Sequence, residues 1–107
     1  MEQDAYRAAV NCAGAAQTWN QSPELRERLL AAVRAARSPI FFLQAKNDYS
    51  LSALEALSAE MARLGKPHQV GVYPDFGSSA QQGHEFCALG AEEWGPEVFA
   101  FFASHLR

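Results

Sequence analysis

Four consecutive apolar residues, Ile40-Phe41-Phe42-Leu43, stand between Pro39 and a polar stretch that begins at Gln44. A strand with one wet face alternates apolar and polar residues, so an unbroken apolar run predicts a central parallel strand covered on both faces. Just past its carboxyl end comes Asp48, followed by Ser52-x-x-Glu55, which has the pattern of a capping box and predicts a helix start. Ligands and reacting groups in open α/β sheets collect outside the carboxyl ends of the strands, which makes Asp48 a site candidate. The alternative is a turn residue, since Asp bonds its own backbone readily.

The flanking segments extend this unit in both directions. Tyr6 to Ala13 reads as a first strand ending at Gly14, with Trp19 in the connection that follows, assigned to core packing. Ser22-Pro23-Glu24 predicts a helix start, with Ser as cap, Pro at the first position and an acid facing the helix dipole. Leu25, Leu29, Val33 and Ala36 fall on one face of that helix, which must end before Pro39. A second helix carries Leu54, Leu57, Met61 and Leu64 as its apolar stripe and stops at Gly65-Lys66-Pro67. His68 to Tyr73 forms a third strand, whose alternation suits a position nearer the sheet edge.

Asp75 to Leu89 has no helical period and reads as a long loop containing Gly83-His84-Glu85-Phe86. The last helix is expected from about Gly95-Pro96-Glu97, with Trp94 stapled onto Phe99 and with Val98, Phe101, Phe102 and Leu106 as its buried face. His105 lies in its last turn, where a cation suits the dipole. The order β-α-β-α-β-loop-α implies right-handed crossovers, three parallel strands in sequential order, two helices on one face and the terminal helix on the other.

Composition narrows the function classes. The chain has 107 residues, enough for one domain, and a formal net charge of -3 with its Lys and Arg scattered. Scattered cations argue against a nucleic-acid binder. No apolar run approaches a membrane span, and Met1-Glu2-Gln3-Asp4 is not the basic start of a signal peptide, so a soluble cytoplasmic protein is expected. Cys12 and Cys87 have neither metal-type nor redox-type spacing and are expected to be buried small hydrophobes rather than a disulfide pair. His68, His84, Glu85 and Asp48 lack the H-E-x-x-H type of ligand spacing, so no metal and no cofactor is expected.

Asp48 follows the second strand and His84 lies in the loop after the third, so both can reach one crevice. An acid that holds an imidazole in one tautomer and stabilises the imidazolium is the acid-base part of a nucleophilic triad. The order nucleophile, acid, His is that of α/β-hydrolases, and acid and His stand in that order here.

Five segments then match in register: Phe42-Leu43-Gln44-Ala45-Lys46-Asn47-Asp48-Tyr49-Ser50, Leu64-Gly65-Lys66-Pro67, Tyr73-Pro74-Asp75-Phe76-Gly77, Gly83-His84-Glu85-Phe86 and Trp94-Gly95-Pro96-Glu97-Val98. Together they resemble the C-terminal half of the dienelactone hydrolase family, from about Tyr6 to the chain end. The resemblance implies an ester or lactone hydrolase, with Asp48 as triad acid, His84 as triad base, and the three strands as the last three of the hydrolase sheet. Glu85 departs from the small residue usual after that His.

The family's nucleophile elbow, G-x-C-x-G or G-x-S-x-G, occurs nowhere in the 107 residues. Val10-Asn11-Cys12-Ala13-Gly14 echoes it loosely but aligns better with the strand after the elbow, and Ser78 and Ser79 read as solvated loop residues. The chain alone is therefore expected to be inactive or nearly so. Two partners are expected as alternatives: a separate N-terminal hydrolase half, or a second copy paired along the exposed edge of the first strand in a non-enzymatic homodimer.

Overall fold

A computed structural model describes residues 8–105. Tyr6, Arg7 and Leu106 of the expected first strand and last helix lie outside the described residues. Three parallel strands, β1 (Ala9–Cys12), β2 (Ile40–Ala45) and β3 (His68–Tyr73), form a sheet in the order β1-β2-β3. Ile40 pairs with Ala9 on one side and His68 on the other.

The expected central strand is β2, and it runs two residues past the apolar run, to Ala45. Phe42 faces one core layer with Trp19, Val33, Leu54, Leu57 and Met61. Phe41, Leu43 and Ala45 face the other, with Phe86, Val98 and Phe101. Burying each large apolar side chain contributes about 1.5–3 kcal/mol, so β2, loaded on both faces, is the thermodynamic centre of the sheet.

Helices α1 (Pro23–Ala35) and α2 (Ser52–Arg63) cover the Phe42 face, and the C-terminal α5 (Ala91–His105) covers the Phe41 face. Ser22 Oγ accepts the Leu25 N–H at 3.1 Å, so α1 starts where its cap predicts. Its carboxyl end is closed from elsewhere: Lys66 Nζ donates to the carbonyls of Val33, Arg34 and Ala36 at 2.9, 2.6 and 2.8 Å. A cation on the last carbonyls of a helix supplies hydrogen bonds and suits the dipole. Lys66 reaches them because the chain turns away from α2 at Gly65, two residues past Arg63, with φ of 68°. The Lys66 N–H bonds the Met61 carbonyl and the Gly65 N–H that of Ala62, the double bond pattern of a left-handed helix stop.

Four local expectations are corrected. The Ser52-Glu55 capping box does not form, because Ser50 Oγ takes the Ser52 N–H at 3.1 Å and Ser52 already lies inside α2. The long loop contains two short helices, α3 (Ala80–His84) and α4 (Phe86–Leu89), the first capped by Ser79 Oγ on the Gln82 N–H. The last helix begins at Ala91 and carries Pro96 inside it, since the Gly90 carbonyl accepts from Glu93 and Trp94 and opens the helix one turn early. Trp94 does not staple onto Phe99, which is exposed; its indole donates to the Phe86 carbonyl at 3.2 Å.

Candidate acid-base site

β2 ends at Ala45, and the chain turns at once, with the Asp48 N–H on the Ala45 carbonyl at 3.1 Å. This turn tucks the Asp48 side chain beneath the surface, where it has no solvent exposure. A buried carboxylate needs partners, and Asp48 has three. Oδ1 accepts the Tyr49 N–H at 2.6 Å, and Oδ2 accepts Gln44 Nε2 at 3.0 Å. His84 Nδ1 lies 3.1 Å from Oδ1 and 3.2 Å from Oδ2. Asp48 thus both closes the turn after β2 and meets the His84 ring.

The sequence separation of Asp48 and His84 is closed by residues that sequence reasoning did not single out. Asn47 Nδ2 donates to the carbonyls of Phe76 and Ser79, both at 3.0 Å, and its Oδ1 accepts the Phe76 N–H at 2.9 Å. One side chain at the end of β2 therefore fixes the start of the His84 segment. Gly83 packs against it so closely that a Cβ there would lie 2.6 Å from Asn47 Oδ1 and 2.8 Å from the Asn47 carbonyl carbon. Only glycine brings α3 near enough for the next residue, His84, to reach Asp48. The signal was present in sequence, as the glycine immediately before the candidate base.

Gln44 was likewise missed, because it reads as the end of a strand. It is 2 % exposed, and its Nε2 joins the Asp48 carboxylate to the Ser50 carbonyl, the latter at 2.7 Å. Beyond Asp48, Tyr49 meets the His84 ring edge-on, with centroids 5.7 Å apart, and its hydroxyl donates to Gln81 Oε1.

The His84 side chain is 34 % exposed. If Nδ1–H donates to Asp48, Nε2 carries the lone pair, and among the described residues it has no hydrogen-bond partner. Such a ring can accept a proton at Nε2 while the carboxylate stabilises the resulting cation. Glu85 points its carboxylate into a different contact, accepting from Gln81 Nε2 at 3.2 Å. Ser78 and Ser79 serve α3, the former through its N–H on Gln82 Oε1 and the latter as its cap. Neither is oriented by His84. His68 Nδ1 faces the Lys66 carbonyl, and among the described residues no three His, Cys, Asp or Glu groups could hold a metal together.

The cysteines correct the sequence reading outright. Cys12 and Cys87 are joined in a disulfide, with Cα atoms 5.9 Å apart and a sequence separation of 75. The bond links the carboxyl end of β1 to α4, three residues beyond His84, so a thiol at the Cys12 elbow echo is not available as a nucleophile. No described helix is long and apolar enough to cross a membrane. Comparison of the chain with family models, curated proteins and solved structures finds no match.

Proposed function

We propose that this chain is the acid-base half of an ester or lactone hydrolase of the dienelactone hydrolase kind, a partial α/β-hydrolase sheet whose nucleophile comes from outside residues 1–107. The observation that carries the reading is the contact of His84 Nδ1 with both oxygens of the buried Asp48 carboxylate, at 3.1 and 3.2 Å. In this reading Asp48 holds the Nδ1–H tautomer, and Nε2 takes the proton of an incoming hydroxyl or thiol as it attacks the acyl carbon. His84 then returns that proton to the departing alkoxide. Oxyanion stabilisation is usually the largest contribution to acyl transfer, and the donors for it would accompany the nucleophile.

The isolated chain should therefore hydrolyse 4-nitrophenyl acetate no faster than its His84→Ala variant. Addition of an N-terminal hydrolase half carrying an elbow should raise turnover in a His84-dependent way. Robust His84-dependent turnover by the chain alone would overturn the division of labour, and turnover in the reconstituted pair that ignores His84 would overturn the assignment of the base.

A second reading, a non-enzymatic module that dimerises through the β1 edge, is favoured by one feature. Ala9, Val10, Leu29, Val33, Ile40 and Phe42 line an apolar groove of about 220 Å³ beside that edge, which has no pairing strand among the described residues. Light scattering at micromolar concentration separates the readings, because the module requires a dimer and the half-enzyme does not. Cytoplasmic residence goes with the first reading. The Cys12–Cys87 bond weighs against it, since reducing compartments keep thiols unpaired. Alkylation of thiols in freshly quenched cells would decide.

A further inference from the structure

A second cavity opens on the same rim of the sheet as His84. It has a volume of about 550 Å³, within the 300–1,000 Å³ of small-ligand sites, and is lined by Gln17, Thr18, Asn20, Gln21, Tyr49 and Ser50. The first four follow β1 and the last two follow β2, so the cavity lies at the carboxyl ends of two neighbouring strands. Tyr49 belongs to both places: it lines the cavity and meets the His84 ring.

The backbone of one wall and the Tyr49 ring of the other are held in place. After β1 the chain turns through Ala13 and Ala15, both at positive φ (61° and 64°), a conformation that alanine adopts only where its surroundings impose it. The Ala13 N–H is held by the Leu43 carbonyl at 3.0 Å, and Asn11 Oδ1 accepts the Gly14 N–H at 3.0 Å. Trp19 then anchors the turn in the core, and Arg26 donates to its carbonyl at 2.8 Å. On the other wall the Tyr49 hydroxyl is tied to Gln81, which holds a ring that is 41 % exposed. A site ordered before its ligand arrives loses little conformational entropy on binding.

The chemistry of the lining is uniform. Three amides, two aliphatic hydroxyls and one phenol face the space, and none of the six is a carboxylate or a cation. A carboxylate or phosphate would enter without a counter-charge and leave its hydration behind. A ligand bearing several hydroxyls can exchange water for amide and hydroxyl partners without desolvating an ion. Its ring C–H groups can pack on an exposed aromatic face.

We propose that this cavity is a subsite for a neutral sugar or similar polyol, so that the ester acted on is one carried by a hydroxylated ring. This deepens the hydrolase reading and rests on it for the reaction, though not for the binding.

The test is a titration of the ¹⁵N-labelled chain followed by NMR, with methyl β-D-glucopyranoside as probe and monomethyl succinate as the anionic control. The glucoside should move the side-chain amide signals of Gln17, Asn20 and Gln21 saturably, with a Kd of about 1 mM, the affinity that ligand-efficiency bounds allow a molecule of its size. The succinate should leave them in place. Tyr49→Ala and Asn20→Ala should each weaken the response at least about tenfold, while signals outside the mutated residue's own neighbours (His84 and Gln81 for Tyr49, Ser50 for Asn20) superimpose on those of the parent. Absence of a saturable response at about 50 mM glucoside, or a response to succinate instead, overturns the sugar subsite. The His84 tautomer, read in the same samples before glucoside is added, reports on the hydrolase reading separately, since it is set by the Asp48 contact.

Discussion

Breaking the Cys12–Cys87 bond should cost this chain a large share of its stability. Cross-linking residues 75 apart removes loop-closure entropy from the unfolded ensemble, and the chain-entropy relation gives about 4.5 kcal/mol at 25 °C for a loop of that length. Domains of this size are stable by only about 5–15 kcal/mol, so the reduced protein stands near its threshold. The perturbation is the Cys12→Ser, Cys87→Ser double variant, which avoids any free thiol, compared with the oxidised parent by urea unfolding. With an m-value of about 1.5–2 kcal/mol/M, the midpoint should fall by about 2–3 M. A fall below about 0.5 M, with m unchanged, would refute the reasoning. So would two reactive thiols in the unfolded parent kept free of reductant. The bond also anchors α4 three residues from His84, so amide exchange in Ala80–Leu89 should accelerate more than exchange in β2.

Three further outcomes follow from particular contacts. Gly83→Ala should separate His84 from Asp48 and destabilise by about 1–3 kcal/mol, because the new methyl would lie 2.6 Å from Asn47 Oδ1; an unchanged His84 spectrum would count against the packing. Lys66→Met removes the donor to three carbonyls at the end of α1 and should lower stability by about 1–3 kcal/mol in urea unfolding, whereas a neutral result would mean that water replaces it fully. Hydrogen bonds from Arg63 and then Arg34 hold the Glu60 carboxyl down from 4.5 to about 2. A depressed native value adds stability that is present above pH 4.5 and is lost as pH falls towards about 2. Glu60→Gln should therefore flatten the acid limb of a stability-pH curve between those values, and an unaltered limb would contradict the pairing.

Much of the architecture was legible because it depends on local signals that each suffice alone. The unbroken Ile40-Leu43 run reads as a doubly covered strand, Ser22-Pro23 as a helix start and Gly65 as a helix stop, and the structure has each of them there. Those elements place Asp48 at a strand end, and the His after the third strand followed from topology. What escaped depends on neighbours distant in sequence or on segments too short to show a period. α3 and α4 have five and four residues, barely a turn each, and are held by Ser79 and by the burial of Phe86. The disulfide joins positions 75 apart, and spacing carries no information about such a pair. Asn47 and Gln44 hold Asp48 and the His84 segment through contacts that no pattern of residue types announces, and of these supports only Gly83, next to His84, left a signal in sequence.

Asp48, in the proposed role, fixes the His84 ring with its proton on Nδ1 and leaves Nε2 for chemistry. Long-range ¹H–¹⁵N correlation spectra of the imidazole, recorded on the oxidised chain with neutral His84, read the tautomer directly. That role requires an Nδ1–H tautomer with a strongly downfield ring proton, converting to the Nε2–H form in Asp48→Ala. An Nε2–H tautomer in the parent, with ring signals that Asp48→Ala leaves unmoved, would contradict it.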